Sequence, residues 1–439
     1  MSQEDYLRSF FQALEDRPLE PEDRRYVRLY EGTATSEDPI AQLESGIEWT
    51  AQGSVQLLSG FRGTGKSTEL RRLRSQLRAK GSYRVALCDM RGYLNLSEPV
   101  DVSDFLIAAT GALSEELRDE ELLGRDQTRE TYWERFSNFA TRTKVDLGGP
   151  ELGVPGAKLK TNLKNDPSFR RRIQRALEGS LGSLVEDVRE FVTGCINELR
   201  RMHGEDTQLV VIFDSVEQFQ GTYTNAAEVQ ASLETLFVGH ADKLSIPGVH
   251  LIYTVPPWLK IRFPGVSQVY TGAYLMPCIK VRDRQGQPWA AGIDALERIV
   301  AERGDWTRLL ENRQALEHLI EQSGGYLRDL FRLLQAGLRR GRGRALPLTQ
   351  EDIDFIVVRA RDAYLPIAIE DARWLARVAK THEAELPEAG NLPHLSRYLD
   401  THLLLCYRNG DEWYDIHPLI AEKVHQLASR PMIEPYGSP

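Results

Sequence analysis

The chain has 439 residues, 41% of them apolar and 27% charged, and a formal net charge of −9. That composition fits a globular chain of about two to three domains, and the acidic balance argues against a global basic field for nucleic acid. No run of about 18 apolar residues predicts a membrane-spanning helix; the four cysteines, Cys88, Cys195, Cys278 and Cys406, lack metal-ligand spacing and read as isolated thiols of a reducing cytoplasm.

The amino-terminal stretch is acidic and amphipathic, with Tyr6, Phe10, Phe11 and Leu14 on one helical face, which is unlike a secretory leader. A polar, proline-bearing segment follows, in which Tyr26 and Tyr30 either stack on a nucleotide base or pack internally. Residues 40–49 have helical spacing. Residues 54–70, SVQLLSGFRGTGKSTEL, are the diagnostic stretch. A short apolar run turns at Ser59-Gly60 into Gly60-x-x-x-x-Gly65-Lys66-Ser67 and then into helix formers. Strand, glycine loop and helix together are the context of a phosphate-binding P-loop. Gly60, Gly63 and Gly65 allow positive φ and close approach, so that successive amides point at an anion. The helix beginning near Lys66 adds its positive end. Lys66 is expected to reach the β- and γ-phosphates and the Ser67 hydroxyl to ligate Mg²⁺. The predicted nucleotide-binding set is Gly60, Phe61, Arg62, Gly63, Thr64, Gly65, Lys66, Ser67 and Thr68, and the predicted ligands are ATP and Mg²⁺.

Residues 83–90 read as a buried strand, with Asp89 at its end either supporting the site or capping the next turn. Residues 101–117 are helical, 144–160 an irregular loop or short hairpin, and 165–201 one long amphipathic helix. Arg170, Arg171, Arg172 and Arg175 form either a solvated face or a patch for phosphate or a partner. Residues 208–215, QLVVIFDS, are the second diagnostic stretch: a fully apolar strand ending in Asp214, placed to hold Mg²⁺ through water beside Ser67. Hydrolysis also needs a carboxylate that orients water, and Glu217 is the nearest candidate. Residues 249–255 form a further strand, and Thr254 near its end either senses the γ-phosphate or is a plain strand-end threonine.

From about residue 286 the pattern is helical, with a Gly324-Gly325 break opening a helix that carries Arg328. Arg339 to Arg344 (RRGRGR) reads as a basic linker. Beyond it come a helix with a Thr349–Asp352 capping box, two more helices, a hairpin on Asn409-Gly410 and a last helix. That order is a winged helix. Its candidate recognition helix, LPHLSRYLDTH, holds one Arg and no Lys, which favours protein interaction over a grip on DNA phosphates.

GFRGTGKSTEL, the strand ending in Asp214, SGGYLRDL and the terminal wing together resemble the STAND/AAA+ group of P-loop ATPases. That group includes origin-recognition-type initiators and bacterial signalling and anti-phage defence ATPases. LKTNLKNDPSFRRRIQRALEGSL is similar to a segment of bacterial ATP-binding proteins of undefined role. The resemblance covers most of residues 30–430. It implies an α/β fold, with a P-loop NTPase core on a parallel sheet, a helical lid and a C-terminal winged-helix domain. The implied divisions are a helical segment at 1–35, a core at 36–285 with a helical insertion at about 118–205, a lid at 286–345 and a winged helix at 346–439. The implied catalytic set is Lys66, Asp214, Glu217, Thr254 and Arg328, with Arg328 matching the lid arginine that reaches the γ-phosphate. Arg298 and Arg303 are candidates for action in trans. In the AAA+ pattern the water-orienting acid directly follows the strand-end Asp, and here Ser215 stands there, which implies slow turnover unless Glu217 serves.

The implied mechanism is an ATP-gated switch of conformation or oligomerisation, in cytoplasmic signalling or defence, with its effector on a separate protein. Homo-oligomerisation and DNA binding through the wing stay open, and no membrane partner is expected. The alternatives are a DNA-loading or DNA-remodelling ATPase and a small-molecule kinase; the lid and wing speak against the last.

Overall fold

The computed structural model describes residues 2–30, 38–127, 130–142, 156–222, 224–384 and 392–431. Its Cα positions group into two compact units. One comprises Met1–Asp38, Gly63–Lys66 and Met276–Pro439; the other comprises Pro39–Arg62 and Ser67–Leu275.

The chain opens with α1 (Gln3–Ala13), started by a Ser2–Asp5 capping box and buried along Tyr6, Leu7 and Phe10. The second unit then begins with α2 (Pro39–Glu48), β1 (Val55–Gly60), α3 (Lys66–Ala79) and β2 (Tyr83–Asp89). A helical excursion follows, consisting of α4 (Val102–Glu116), α5 (Gly124–Gln127), α6 (Tyr132–Arg142), α7 (Gly156–Asn165), α8 (Pro167–Leu177) and α9 (Leu181–His203). The chain returns through β3 (Gln208–Asp214), α10 (Ala226–Glu234), β4 (Val249–Val255), α11 (Trp258–Arg262), α12 (Val266–Val269) and β5 (Gly272–Met276).

The five strands are ordered β2-β3-β4-β1-β5, and the β2–β3, β3–β4 and β4–β1 pairs are parallel. Every residue of β4 is buried, as an apolar strand covered on both faces must be. Registers Leu58↔Thr254, Phe213↔Tyr253 and Asp89↔Asp214 bring the carboxyl ends of four strands to one edge. Open α/β sheets bind ligands at that edge. The sheet is covered in part by α4, which is apolar almost all round. Its Phe105 ring lies 6.4 Å from Phe213, 6.0 Å from Phe237 and 5.9 Å from Tyr253, a packed aromatic cluster.

Two readings of the excursion are corrected. The expected long helix over 165–201 is two helices, because Asp166 caps a fresh start at Pro167 and the Glu178-Gly179-Ser180 step interrupts the run. Residues 156–160, read as loop or hairpin, are the first turns of α7; residues 144–155 of that reading lie outside the described residues.

The remaining elements belong to the first unit: α13 (Ala290–Ala301), α14 (Arg313–Gln322), α15 (Leu327–Arg340), α16 (Gln350–Asp362), α17 (Ile369–Thr381), α18 (Leu392–Asp400), β6 (Leu404–Asn409), β7 (Asp411–Ile416) and α19 (Pro418–Ala428). The hairpin turns where expected, with Gly410 at φ +90°. The basic run that ends α15 and follows it is tied down: Arg340 Nε lies 2.6 Å and Arg344 Nη1 2.9 Å from Asp352 Oδ1, at the start of α16.

Buried Asp104 on α4 accepts from Gln174 at 2.5 Å through one oxygen, and its other oxygen has no hydrogen-bond partner. Burial therefore pushes its carboxyl up to about 7. The unfolded chain releases this proton near pH 4 and the folded chain only near 7, so stability falls as pH rises across that window. Asp104→Asn is expected to match the wild type in melting temperature near pH 4, to exceed it by a margin that grows up to pH 7, and to hold that margin above it. Thermal melts at five pH values check this; a gap independent of pH contradicts it.

Candidate nucleotide site

The loop between β1 and α3 contains Gly63 at φ +91° and Gly65 at φ +96°, backbone that residues with a side chain rarely adopt. Positive φ at these two points lets the loop curl back, and α3 starts at Lys66, so the first amides of the helix lack intrahelical partners. Thr64 and Lys66 are each only 2% exposed. Within α3, Glu69 and Arg72 form a buried pair at 2.6 Å that holds the inner face of the helix.

At the carboxyl edge of the sheet, Asp214 closes β3, and its Oδ1 accepts the Ser215 amide at 2.7 Å. Ser215 sits at φ +72°, a left-handed conformation that is uncommon for a non-glycine residue and typical of sites under functional constraint. Its side chain also hydrogen-bonds Asp89, the register partner of Asp214. The next turn, Val216–Gln218, carries Glu217, which is 9% exposed. Thr254, fully buried, donates to the Phe213 carbonyl at 3.3 Å and accepts the Val216 amide at 3.0 Å. The Thr254 hydroxyl thus pins the turn that holds Glu217, a role that the sequence signals only as a polar residue near the end of the neighbouring strand.

Asp89 caps its own turn by accepting the Arg91 amide at 3.1 Å, and both its oxygens lie 3.0 Å from Arg91 Nε. Burial works against the ionised carboxylate, but Arg91 and Ser215 hold Asp89 below the usual range. Arg91 in turn lies within electrostatic reach of Asp214 and Glu217. Sequence reasoning passed over this arginine. Its one signal is its position two residues after a strand-end acid.

In the first unit, Arg328 lies flat against Gly63. A Cβ at residue 63 would stand 2.7 Å from Arg328 Nε and 2.9 Å from its Cβ. A Cβ at Gly65 would stand 3.8 Å from Leu327. The first turn of α15 thus packs on the glycine loop. It is placed there by Gly325, φ +71°, where a Cβ would come within 1.7 Å of the Ile279 carbonyl. Arg328 Nε donates to Asp16 Oδ2 at 2.7 Å, and its Nη2 is 2.6 Å from the same oxygen. The adjacent Asp329 is buried. Its Oδ2 lies 3.3 Å from His417 Nε2 and accepts the Tyr364 hydroxyl, and its Oδ1 accepts from Arg332 at 3.2 Å. Burial disfavours its charge, yet these partners hold its carboxyl at about 2. The helix bearing Arg328 is therefore anchored to α19 and to the segment after α16.

Two further candidates are committed to packing. Arg303 donates to the carbonyls of Ile299 at 2.9 Å and Arg25 at 3.0 Å and covers the Phe331 ring, so it does not project for use by a neighbour. Tyr30 is buried with its hydroxyl donating to the Pro277 carbonyl at 3.2 Å. Among the described residues, no group of three or more His, Cys, Asp or Glu side chains has the makings of a metal cage. A hydroxyl and a single strand-end carboxylate instead suit Mg²⁺, which keeps most of its waters and takes further oxygens from phosphate.

A scan against protein-family models finds no match, and a search of the curated proteins finds none. Solved structures offer distant likenesses. A Walker-type ATPase of Pyrococcus abyssi is 16% identical, with 94% of this chain and 99% of that chain covered and a TM-score of 0.41. The ORC2 protein of Aeropyrum pernix, solved in ADPNP–ADP complexes, is 12% identical over 95% and 97% of the two chains, TM-score 0.41. Cdc6p of Pyrobaculum aerophilum is 13% identical over 94% and 98%, TM-score 0.37. At that level of similarity no function transfers to this chain.

Gly63→Ala forces a side chain into both Arg328 and a left-handed backbone, so nucleotide affinity is expected to fall about tenfold with the circular dichroism spectrum unchanged. Titration with a fluorescent ATP analogue checks this, and an unaltered affinity contradicts it.

Proposed function

We propose that the chain binds Mg-ATP on the glycine loop and hydrolyses it slowly, as a nucleotide-gated switch. The observation that carries this is the burial of Lys66 at the first residue of α3, directly after two glycines at positive φ and in a loop against which Arg328 lies. In this reading the loop amides and Lys66 bind the β- and γ-phosphates, and Arg328 contacts the terminal phosphate. Ser67 and, through water, Asp214 hold Mg²⁺, which when bound neutralises charge developing on the phosphates. Glu217 orients the attacking water from a turn that Thr254 keeps in place. With Ser215 directly after Asp214, the acid stands two residues further on, which fits slow turnover and a long-lived triphosphate state. The helices α16–α18, the hairpin and α19 serve as a winged helix whose exposure or assembly the nucleotide controls. This reading extends to cytoplasmic signalling or defence through a protein partner, with homo-oligomerisation as one output.

The DNA-remodelling alternative is less favoured because several of the cations it would use are already engaged. Arg397, the only arginine of the candidate recognition helix, donates to Asp371 at 2.7 Å. Arg340 and Arg344 share Asp352.

ATP turnover by the purified chain, measured with and without duplex DNA, tests the proposal. Lys66→Ala is expected to abolish ATP binding, and Glu217→Gln to keep binding while lowering turnover about a hundredfold. Turnover indifferent to DNA, together with an ATP-dependent change in mass by light scattering, supports the switch. DNA-stimulated turnover moves the assignment to the alternative, and wild-type protein that binds no ATP overturns both. In the same assay Thr254→Val, which frees the Val216 amide, is expected to lower turnover about tenfold with ATP affinity held within about twofold. An unchanged rate contradicts the pinning role of Thr254.

A further inference from the structure

Arg328 and Asp16 are unequal partners. The arginine side chain is only 14% exposed and rests on Gly63, whereas the Asp16 side chain is 56% exposed. Asp16 lies in a stretch without regular structure after α1. It is delivered there by contacts within its own unit. Gln335 of α15 donates to the Leu14 carbonyl at 3.2 Å, and Tyr6 donates to the Asp305 carbonyl at 2.7 Å. The end of α1 thus rides on the helix that carries Arg328, and two residues further on its carboxylate meets the guanidinium. Both contacts, from Nε and Nη2, use the same carboxylate oxygen, on the edge of the guanidinium that suits an oxyanion.

We propose that Asp16 acts as an internal competitor for Arg328, a carboxylate that the terminal phosphate of a nucleoside triphosphate must displace and that a diphosphate leaves in place. The proposal rests on the P-loop reading above and adds to it the residue that tells ATP from ADP. A doubly charged phosphate with three acceptor oxygens outbids one half-exposed carboxylate for a fixed guanidinium. ADP has no oxygen at that position and does not enter the competition. Displacement frees the segment after α1, so the triphosphate state is announced at residues 14–17, well apart in sequence from the glycine loop.

Equilibrium titrations of fluorescent ATP and ADP analogues against the full chain, with Mg²⁺, test this. Asp16→Ala is expected to bind the ATP analogue about fivefold more tightly and the ADP analogue with unchanged affinity, a size that suits a partly exposed ion pair. Asp16→Glu is expected to restore wild-type behaviour. In an Arg328→Ala background, Asp16→Ala is expected to change neither affinity. Hydrogen exchange at residues 14–17 of the wild type is expected to quicken with a non-hydrolysable ATP analogue and not with ADP. Equal shifts for both nucleotides, weaker ATP binding in Asp16→Ala, or exchange indifferent to the terminal phosphate would overturn the proposal while leaving the P-loop reading intact. A wild type that binds neither nucleotide overturns both.

Discussion

A backbone grip on an oxyanion needs several amides turned toward one point, and the loop between β1 and α3 has the two φ values that such a turn requires. Gly63 at +91° and Gly65 at +96° turn the loop against the direction that side-chain-bearing residues prefer. Every other feature of the site is arranged around that turn. Lys66 is buried at the loop's end, α3 starts there, and Arg328 can lie on residue 63 only because no Cβ stands there. The glycines thus do two jobs at once. They curl the backbone, and they leave room for the Arg328 guanidinium against the loop.

The sheet positions the acidic residues of the candidate site by a different route. Parallel registers level the ends of β1, β2, β3 and β4, and the turn after β3 is then held by hydrogen bonds as well as by the burial of Val216 and Phe219. Asp214 accepts the Ser215 amide, Thr254 the Val216 amide, and Ser215 reaches Asp89. Since amides and hydroxyls must be satisfied when buried, each of these bonds fixes a backbone position as well as stabilising it. The left-handed Ser215 is the cost of that arrangement.

Much of this was legible in the sequence, for identifiable reasons. The P-loop and the strand ending in Asp214 announce themselves because glycine spacing and a fully apolar run are local signals. The hairpin was legible from Asn409-Gly410, and the start of α16 from Thr349 and Asp352. What was not legible depends on partners distant in the chain. The basic run at 339–344 reads as a linker because nothing local shows that Arg340 and Arg344 share Asp352, whose sequence signal is that of a capping residue. Arg303, just past the end of α13, looks available in the sequence because nothing near it in the chain shows the Arg25 carbonyl or the Phe331 ring that receives it. The break at residues 178–180 was missed because the apolar period continues across it. Asp16 carries no motif at all; it matters only because α1 lies along α15.

The decisive measurement is the structure of the chain with a non-hydrolysable ATP analogue and Mg²⁺. The expected result is a triphosphate wrapped by the amides of residues 61–67, with Lys66 and Arg328 each about 3 Å from a phosphate oxygen, Asp16 turned away from Arg328, and Mg²⁺ beside Ser67. Nucleotide bound elsewhere, or a glycine loop left empty at saturating analogue, would contradict it.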